Sequence, residues 1–231
     1  TLLKVVVNTI NPSIRIGVEN LMKSIESASM TKFEENVDEI MNFMLNTYNK
    51  MLDERNKENN KKKMTIFIDS TFIDNKNGSE GVGINPMNYK KRVTKLSIIC
   101  TDKKEIINIK EFKSTANDCT TIIGTLEGVK IKGKINLVGD KGYHVRESVK
   151  EELRKRKIRL IVPRKRNQKK RRLKAQDREL LKERNKIENV IKLIKSLNRI
   201  GLRKDRRIKT YMGFIWMGSG LRLEEIINKI D

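Results

Sequence analysis

Runs in which apolar residues recur every three or four positions alternate along this chain with short, dense apolar runs. Val18, Leu21, Met22 and Ile25 keep helical spacing after a turn at Asn11-Pro12-Ser13. A second run opens on Thr31 and Glu34, a capping-box pair, and continues through Phe33, Val37, Ile40, Met41, Met44, Tyr48, Met51 and Leu52. The polar tract KENNKKK, residues 57 to 63, then reads as a solvated linker. From Met64 the pattern changes. MTIFIDSTFI, Val93–Thr101, Glu105–Phe112, KINLV before Gly139 and Ile158–Val162 predict strands, with a turn at Asp102-Lys103-Lys104. Asn117–Glu127 and Val145–Lys157 predict helices between them, and the closing segment Tyr211–Met217 should pack on the sheet with Trp216 in the core. The order predicts an α/β domain over 61–231, a mixed sheet flanked by helices, preceded by a small helical region over 1–60. Plain helical packing is the favoured reading of that first region, with a DNA-end-binding or dimerisation module as its rival.

The stretch LKERNKIENVIKLIK, residues 181 to 195, is where the pattern becomes chemical. If it is one helix, Leu181, Arg184, Glu188 and Lys195 share a face. An apolar stripe of Leu180, Ile187, Val190, Ile191, Ile194 and Leu197 runs beside them and should dock the helix on a core. By itself the stretch reads as a solvated basic helix with one incidental Glu. Two strands change that reading. MTIFIDS carries Asp69 near its end, and the run into GDKGY ends on Asp140, with Gly142 allowing a sharp turn or a close backbone approach. Two carboxylates from strands and Glu188 from a helix are the hard oxygen donors that a pair of divalent metal ions requires. Asp74, followed by the loop composition NKNGSEGVG, ranks below Asp69. Asp118 reads as a helix cap, and His144 as an exposed or capping histidine.

These residues resemble the DDE transposases of bacterial-type insertion sequences, whose catalytic domain has the RNase H-like fold. The resemblance rests on IFIDST, on GDKGY and on Arg184, Glu188 and Lys195 at the spacing of a Tyr-Arg-Glu-Lys signature, and it covers Met64 to Ser219. The tyrosine position of that signature is Leu181 here. What the resemblance implies is a catalytic set of Asp69, Asp140 and Glu188 holding two Mg²⁺ or Mn²⁺ ions. It also implies double-stranded DNA as the partner, cleavage at transposon ends with strand transfer into target DNA, and a homodimer in the active complex. Arg184 and Lys195 are then expected to hold phosphates, although Arg184 and Glu188 also suit an ordinary ion pair four residues apart. Three carboxylates repel one another, so the site is expected to tighten on metal. The competing readings are a nuclease of the same fold that does not transpose, and an inactive basic DNA-binding remnant.

Charge agrees with a polyanion partner. The chain of 231 residues has 52 Lys+Arg, 29 Asp+Glu and a formal net charge of +23, yet residues 1–60 are net −2. Thirteen of the 21 residues from Arg154 to Lys174 are Lys or Arg, with no acid among them, Arg164, Lys165 and Arg166 included. Lys90, Lys91, Arg92 and Lys95 suit phosphate contact at the start of the second long strand. Arg199, Arg203, Arg206 and Arg207 continue the basic theme. One histidine and two separated cysteines, Cys100 and Cys119, exclude a zinc finger and a histidine-based catalytic set. No apolar run reaches the ~20 residues of a membrane span and no signal peptide is visible. Unclustered thiols and a DNA partner fit an intracellular place, the cytoplasm and nucleoid or a nucleus. The chain opens on Thr1 rather than Met, as a piece of a longer protein would.

Overall fold

The computed structural model describes residues 30–58, 63–130, 133–164 and 173–227. The reading of residues 1–29 as helical, residues 59–62 of the linker and residues 165–172 of the basic tract lie outside the described residues, whereas Lys57 and Glu58, read as linker, are helical. Helix α1 spans Met30–Glu58 and is followed by β1 (Met64–Asn75), β2 (Gly83–Asn85), β3 (Asn88–Thr101) and β4 (Ile106–Phe112). Next come α2 (Asp118–Thr125), β5 (Ile135–Val138), α3 (Glu147–Lys155) and β6 (Ile158–Ile161). The chain closes with α4 (Ala175–Lys182), α5 (Asn185–Ser196), the single turn α6 (Asn198–Gly201), β7 (Leu202–Arg203) and α7 (Ile208–Ile227).

All seven strands join one sheet. β3 lies between β1 and β4 with antiparallel pairing on both sides, and β2 pairs with the first half of β3. On the other side β5 runs parallel to β1, and β6 parallel to β5. The main path β4-β3-β1-β5-β6, antiparallel on one side of β1 and parallel on the other, is the RNase H-like order. Long antiparallel strands follow from tight turns such as that at Asp102-Lys103, closed by Lys104 at φ 67. The parallel half needs its crossovers, which α2 and α3 supply.

β1 buries Ile66, Phe67 and Ile68 in succession, so both faces of the sheet are covered. Its alternating side chains feed two separate clusters. Phe67 and Ile73 meet Leu96 and Ile98 of β3 on one face, under α1, α5 and α7. Ile66 and Ile68 meet Ile99 on the other, under α2 and α3. Within the first cluster Ile187, Val190, Ile191 and Ile194 form the expected stripe of α5, and Trp216 is buried as expected. Val37, Ile40 and Tyr48 of α1 enter the same cluster, and Tyr48 donates to the Ser219 carbonyl at 3.2 Å.

Residues 181–195 are not one helix. Glu183 and Arg184 form a turn between α4 and α5, with Lys186 N–H bonded to Glu183 and Ile187 N–H to Arg184 at 3.0 and 3.2 Å. In a continuous helix Leu181 and Ile187 would point about 120° apart; the break lets Leu180, Leu181 and Ile187 all reach the first cluster. Arg184 thereby becomes the first residue before α5.

Two arginines of the basic theme are structural. Arg199 pairs with Asp205 at 2.6 Å and lies over the Phe214 ring. Arg203 is wholly buried, and its guanidinium donates to the carbonyls of Glu80, Asp205 and Arg206 and to Thr94 Oγ1 at 2.6 to 3.0 Å. It ties the loop after β1 to β3 and to the entry of α7. Hydrogen bonds to a charged group carry about 1.5–3 kcal/mol each, so Arg203→Met is expected to cost at least about 3 kcal/mol. Exposed Arg206→Ala should stay within about 0.5 kcal/mol. Urea unfolding of the two variants beside the parent checks both values.

Candidate active site

Asp69 and Asp140 are brought together by strand register. Met64–Phe67 pair in parallel with Ile135–Val138, Phe67 facing Val138. Carrying that register two residues on puts Asp69 beside Asp140, where β5 has ended and β1 continues. Asp69 lies opposite Ile98 on the face that α5 covers, with 19% of its side chain exposed. Asp140 starts a short 3₁₀ turn, Lys141–Tyr143, and its Oδ1 accepts from Gly142 N–H at 2.7 Å.

Glu188 comes from the first turn of α5 and stands behind an arginine. Arg184 Nη2 donates to Glu188 Oε1 at 2.7 Å, and Arg184 Nη1 reaches Asp69 Oδ2 at 3.5 Å. The guanidinium thus lies between the two carboxylates, and the ion pair foreseen from the spacing is present. Among the described residues no group of three or more His, Cys, Asp or Glu is close enough to hold a metal ion together. The donor set nevertheless has the right chemistry: hard oxygens, half-buried, with Arg184 as the cation between Asp69 and Glu188.

Burial pushes the Asp69 carboxyl up to about 6. The Ser70 N–H, bonded to its Oδ1 at 2.9 Å, and Arg184 oppose that rise, whereas Asp140 and Asp118 add to it. Ser70 also shares a hydrogen bond of 2.9 Å with the hydroxyl of Tyr143, which is buried and whose ionisation is pushed far up by that burial. The tyrosine of GDKGY is therefore a neutral buttress connecting the Asp140 turn to the residue after Asp69.

A hollow of ≈ 880 Å³ opens over this point, lined by Asp69, Asp140, Asp118, Lys95 and Lys195 among others. Lys195 is exposed and donates to Thr71 Oγ1 at 3.1 Å and the Phe72 carbonyl at 2.9 Å, so α5 delivers its last-turn cation to the rim. Asp118 departs from the expected cap. The residue before α2 is Asn117, which makes no side-chain cap bond, and Asp118 instead pairs with Lys95 at 2.7 Å. Lys95 departs too: it is buried, engaged by Asp118 and the Ala116 carbonyl, and lies 5.6 Å from the Phe72 ring, so its charge serves the wall of the hollow. Gly142 packs close to this wall; an added Cβ would meet Asp118 Oδ2 at 2.8 Å and Asp140 Oδ1 at 3.0 Å. Nothing in the sequence but the alternation of β3 hinted that Lys95 turns inward.

The remaining basic residues lie elsewhere. Lys90, Lys91 and Arg92 are exposed on the β3 extension, Lys91 paired with Asp74 at 2.7 Å. Arg164 is half-buried after β6, while Lys165 and Arg166 lie outside the described residues. His144 is half-buried, and its Nε2 is 2.8 Å from the Pro163 carbonyl, tying the Asp140 loop to the end of β6. No helix among the described residues is long and apolar enough to cross a membrane.

The folded-state value of Asp69, about 6, exceeds its ordinary value of 3.8, so the folded chain binds more protons between them. Stability then falls as pH rises through that window, by about 3 kcal/mol at most. In chelator, Asp69→Asn is expected to be more stable than the parent at pH 7 and level with it below about pH 4. Urea unfolding across pH 4–7 measures the difference.

Comparisons with known proteins bear on this geometry. The profile of the transposase DDE domain matches residues 60–217. The solved piggyBac transposase synaptic complex with hairpin DNA is similar, at 9% identity and a TM-score of 0.49, covering 71% of this chain and 46% of that one. The catalytic domain of Mos1 mariner transposase is also similar, at 16% identity and a TM-score of 0.33, covering 80% and 89%. The chain therefore spans about half the length of the piggyBac chain. No curated protein matches the sequence. A transposase DDE profile covering residues 60–217, over a sheet that sets Asp69 beside Asp140, identifies the chain as a member of the transposase DDE-domain family.

Proposed function

We propose that this chain is a DNA transposase that cleaves phosphodiesters at transposon ends and joins them to target DNA, with residues 61–231 carrying the chemistry. The observation that carries the reading is the register that sets Asp69 beside Asp140, with Glu188 one guanidinium away in the segment matched by the family profile. Asp69, Asp140 and Glu188 are the residues that would hold two Mg²⁺ or Mn²⁺ ions. When bound, such ions supply charge stabilisation to the attacking and leaving oxygens of an in-line displacement.

The chain's own side chains do the rest. Arg184 keeps Asp69 and Glu188 tolerable as neighbours, and with metal held by those carboxylates its guanidinium would be available to a phosphate. Lys195, held at the rim through Thr71 and Phe72, presents an ammonium to the strand at the mouth of the hollow. Asp140, fixed by Gly142 N–H, and Tyr143, bonded to Ser70, hold the carboxylates in place. In cleavage a water oxygen bonds to phosphorus as the 3′ oxygen leaves as a hydroxyl. In strand transfer that 3′-hydroxyl is the nucleophile and a target 3′ oxygen leaves. Lys90, Lys91, Arg92, Arg164, Lys165 and Arg166 are assigned to the double-stranded DNA backbone, and an active homodimer and an intracellular place of work complete the proposal.

The test is cleavage of labelled duplex DNA with Mn²⁺ or Mg²⁺ against EDTA. The parent should cut only with metal. Glu188→Gln and Asp140→Ala should bind DNA as the parent does and lose cutting by more than the ~10–100-fold that removal of a supporting outer-shell group costs. A variant that cuts as well as the parent removes its residue from the ligand set.

A further inference from the structure

Large apolar side chains are exposed at only four places among the described residues, and three of them share one hairpin. Ile84 is 56% exposed, Met87 88% and Tyr89 80%. β2 and the start of β3 are joined through Pro86 and Met87, Asn85 facing Asn88. The tip is stiffened by side-chain turns: Asn85 Oδ1 accepts from Met87 N–H at 2.9 Å and Asn88 Oδ1 from Lys90 N–H at 3.2 Å. Its base is anchored as well, because Gly83 packs so closely on Ser114 that an added Cβ would lie 2.0 Å from Oγ. Ser114 opens the loop that leads to Asp118. Ile84, Met87 and Tyr89 line the same hollow as Asp69 and Asp140.

Three large apolar side chains exposed together on one hairpin mark a binding surface, and their neighbours say for what. Lys90, Lys91 and Arg92 follow Tyr89 directly and are all exposed. Apolar side chains followed at once by three cations fit an object with an anionic edge and an apolar interior, which is the DNA duplex with its phosphates and stacked bases. Over residues 61–231 a second copy of this chain would meet these cations with like charge, since that segment is strongly basic; the net −2 of residues 1–60 makes a contact between copies the outcome the test has to separate. We infer that the β2–β3 hairpin is a wedge: Met87 and Tyr89 enter the base stack of DNA flanking the catalytic hollow while Lys90 and Arg92 hold the adjacent phosphates. This rests on the reading of the hollow as a DNA site. Met is a side chain that architectural proteins insert between base steps, and an aromatic ring offers a stacking platform without sequence preference. The unstacked DNA would be kinked toward Asp69 and Asp140, exposing the phosphate to be attacked.

The experiment uses the intact chain carrying Asp140→Asn, so that nothing is cut. The probe is nicked duplex DNA with 2-aminopurine placed at successive base pairs flanking the nick. Binding should raise the fluorescence at one or two positions. Adding Met87→Ser and Tyr89→Ser should abolish that rise and weaken binding roughly 10-fold, with the salt dependence unchanged. Lys90→Ala with Arg92→Ala should instead lower the salt slope by about 2. Binding without a rise at any position overturns the wedge, as does failure to bind DNA. A change in oligomeric state of the tip variants, read by sedimentation, with the fluorescence rise kept, overturns it in favour of a contact between copies. A chain that cuts no DNA with metal and still lights up 2-aminopurine sinks the nuclease reading and leaves the wedge standing.

Discussion

A carboxylate held half-buried with other acids near it is the constraint on which this structure turns. A protein that needs acidic side chains side by side must hold them against a force that would push them apart or protonate them. At Asp69 the larger part is burial, which pushes the carboxyl up to about 6, and Asp140 and Asp118 add to it. The sheet resists by register, since neither strand can slip without moving its whole apolar set out of the core. Arg184 and the N–H groups of Ser70 and Gly142 supply the compensating positive ends.

The same balance explains why the cations of this basic chain divide into two kinds. Lys95 and Arg203 are buried and spend their charge on Asp118, on backbone carbonyls and on Thr94. They make walls: Lys95 that of the hollow, Arg203 the joint between the loop after β1 and α7. Lys195, Lys90 and Arg92 are exposed and stay available at the rim and along the hairpin. Net charge thus names the class of partner but overstates how many cations can meet it. Burial, which composition does not record, decides which charges face outward.

The hollow, its basic rim and the apolar hairpin are parts of one surface built on β1 and β3. β1 carries Asp69 and, at Thr71 and Phe72, the seat of Lys195. β3 continues past the end of its pairing with β1 to carry Lys90, Lys91 and Arg92 and, at its start, Tyr89. One pair of long antiparallel strands therefore sets both where Asp69 and the seat of Lys195 lie and where the basic hairpin stands beside them. Because both strands are rigid and buried at their centre, that spacing is fixed before any ligand arrives.

The sequence by itself determined most of the elements and singled out three acids. Dense apolar runs bounded by turns marked β1, β3, β4, β5 and β6, and Asp69, Asp140 and Glu188 stood out as three hard oxygen donors on separate elements, in the order of a known family's signature. Local pattern carries this much because strand and helix periods are written in neighbouring residues. Only the tertiary structure decided the rest. The break at Glu183-Arg184 follows from a core that takes Leu181 and Ile187 together, which local spacing does not encode. The pairing of Lys95 with Asp118, the bridge from Arg184 to Asp69, and the burial of Arg203 join residues 23, 115 and 109 positions apart for Lys95–Asp118, Asp69–Arg184 and Thr94–Arg203. Such contacts depend on which strand lies beside which, and the seating of Glu188 behind Arg184 rather than directly at Asp140 is settled by packing of α5 on the sheet, a long-range choice that no local run of sequence records.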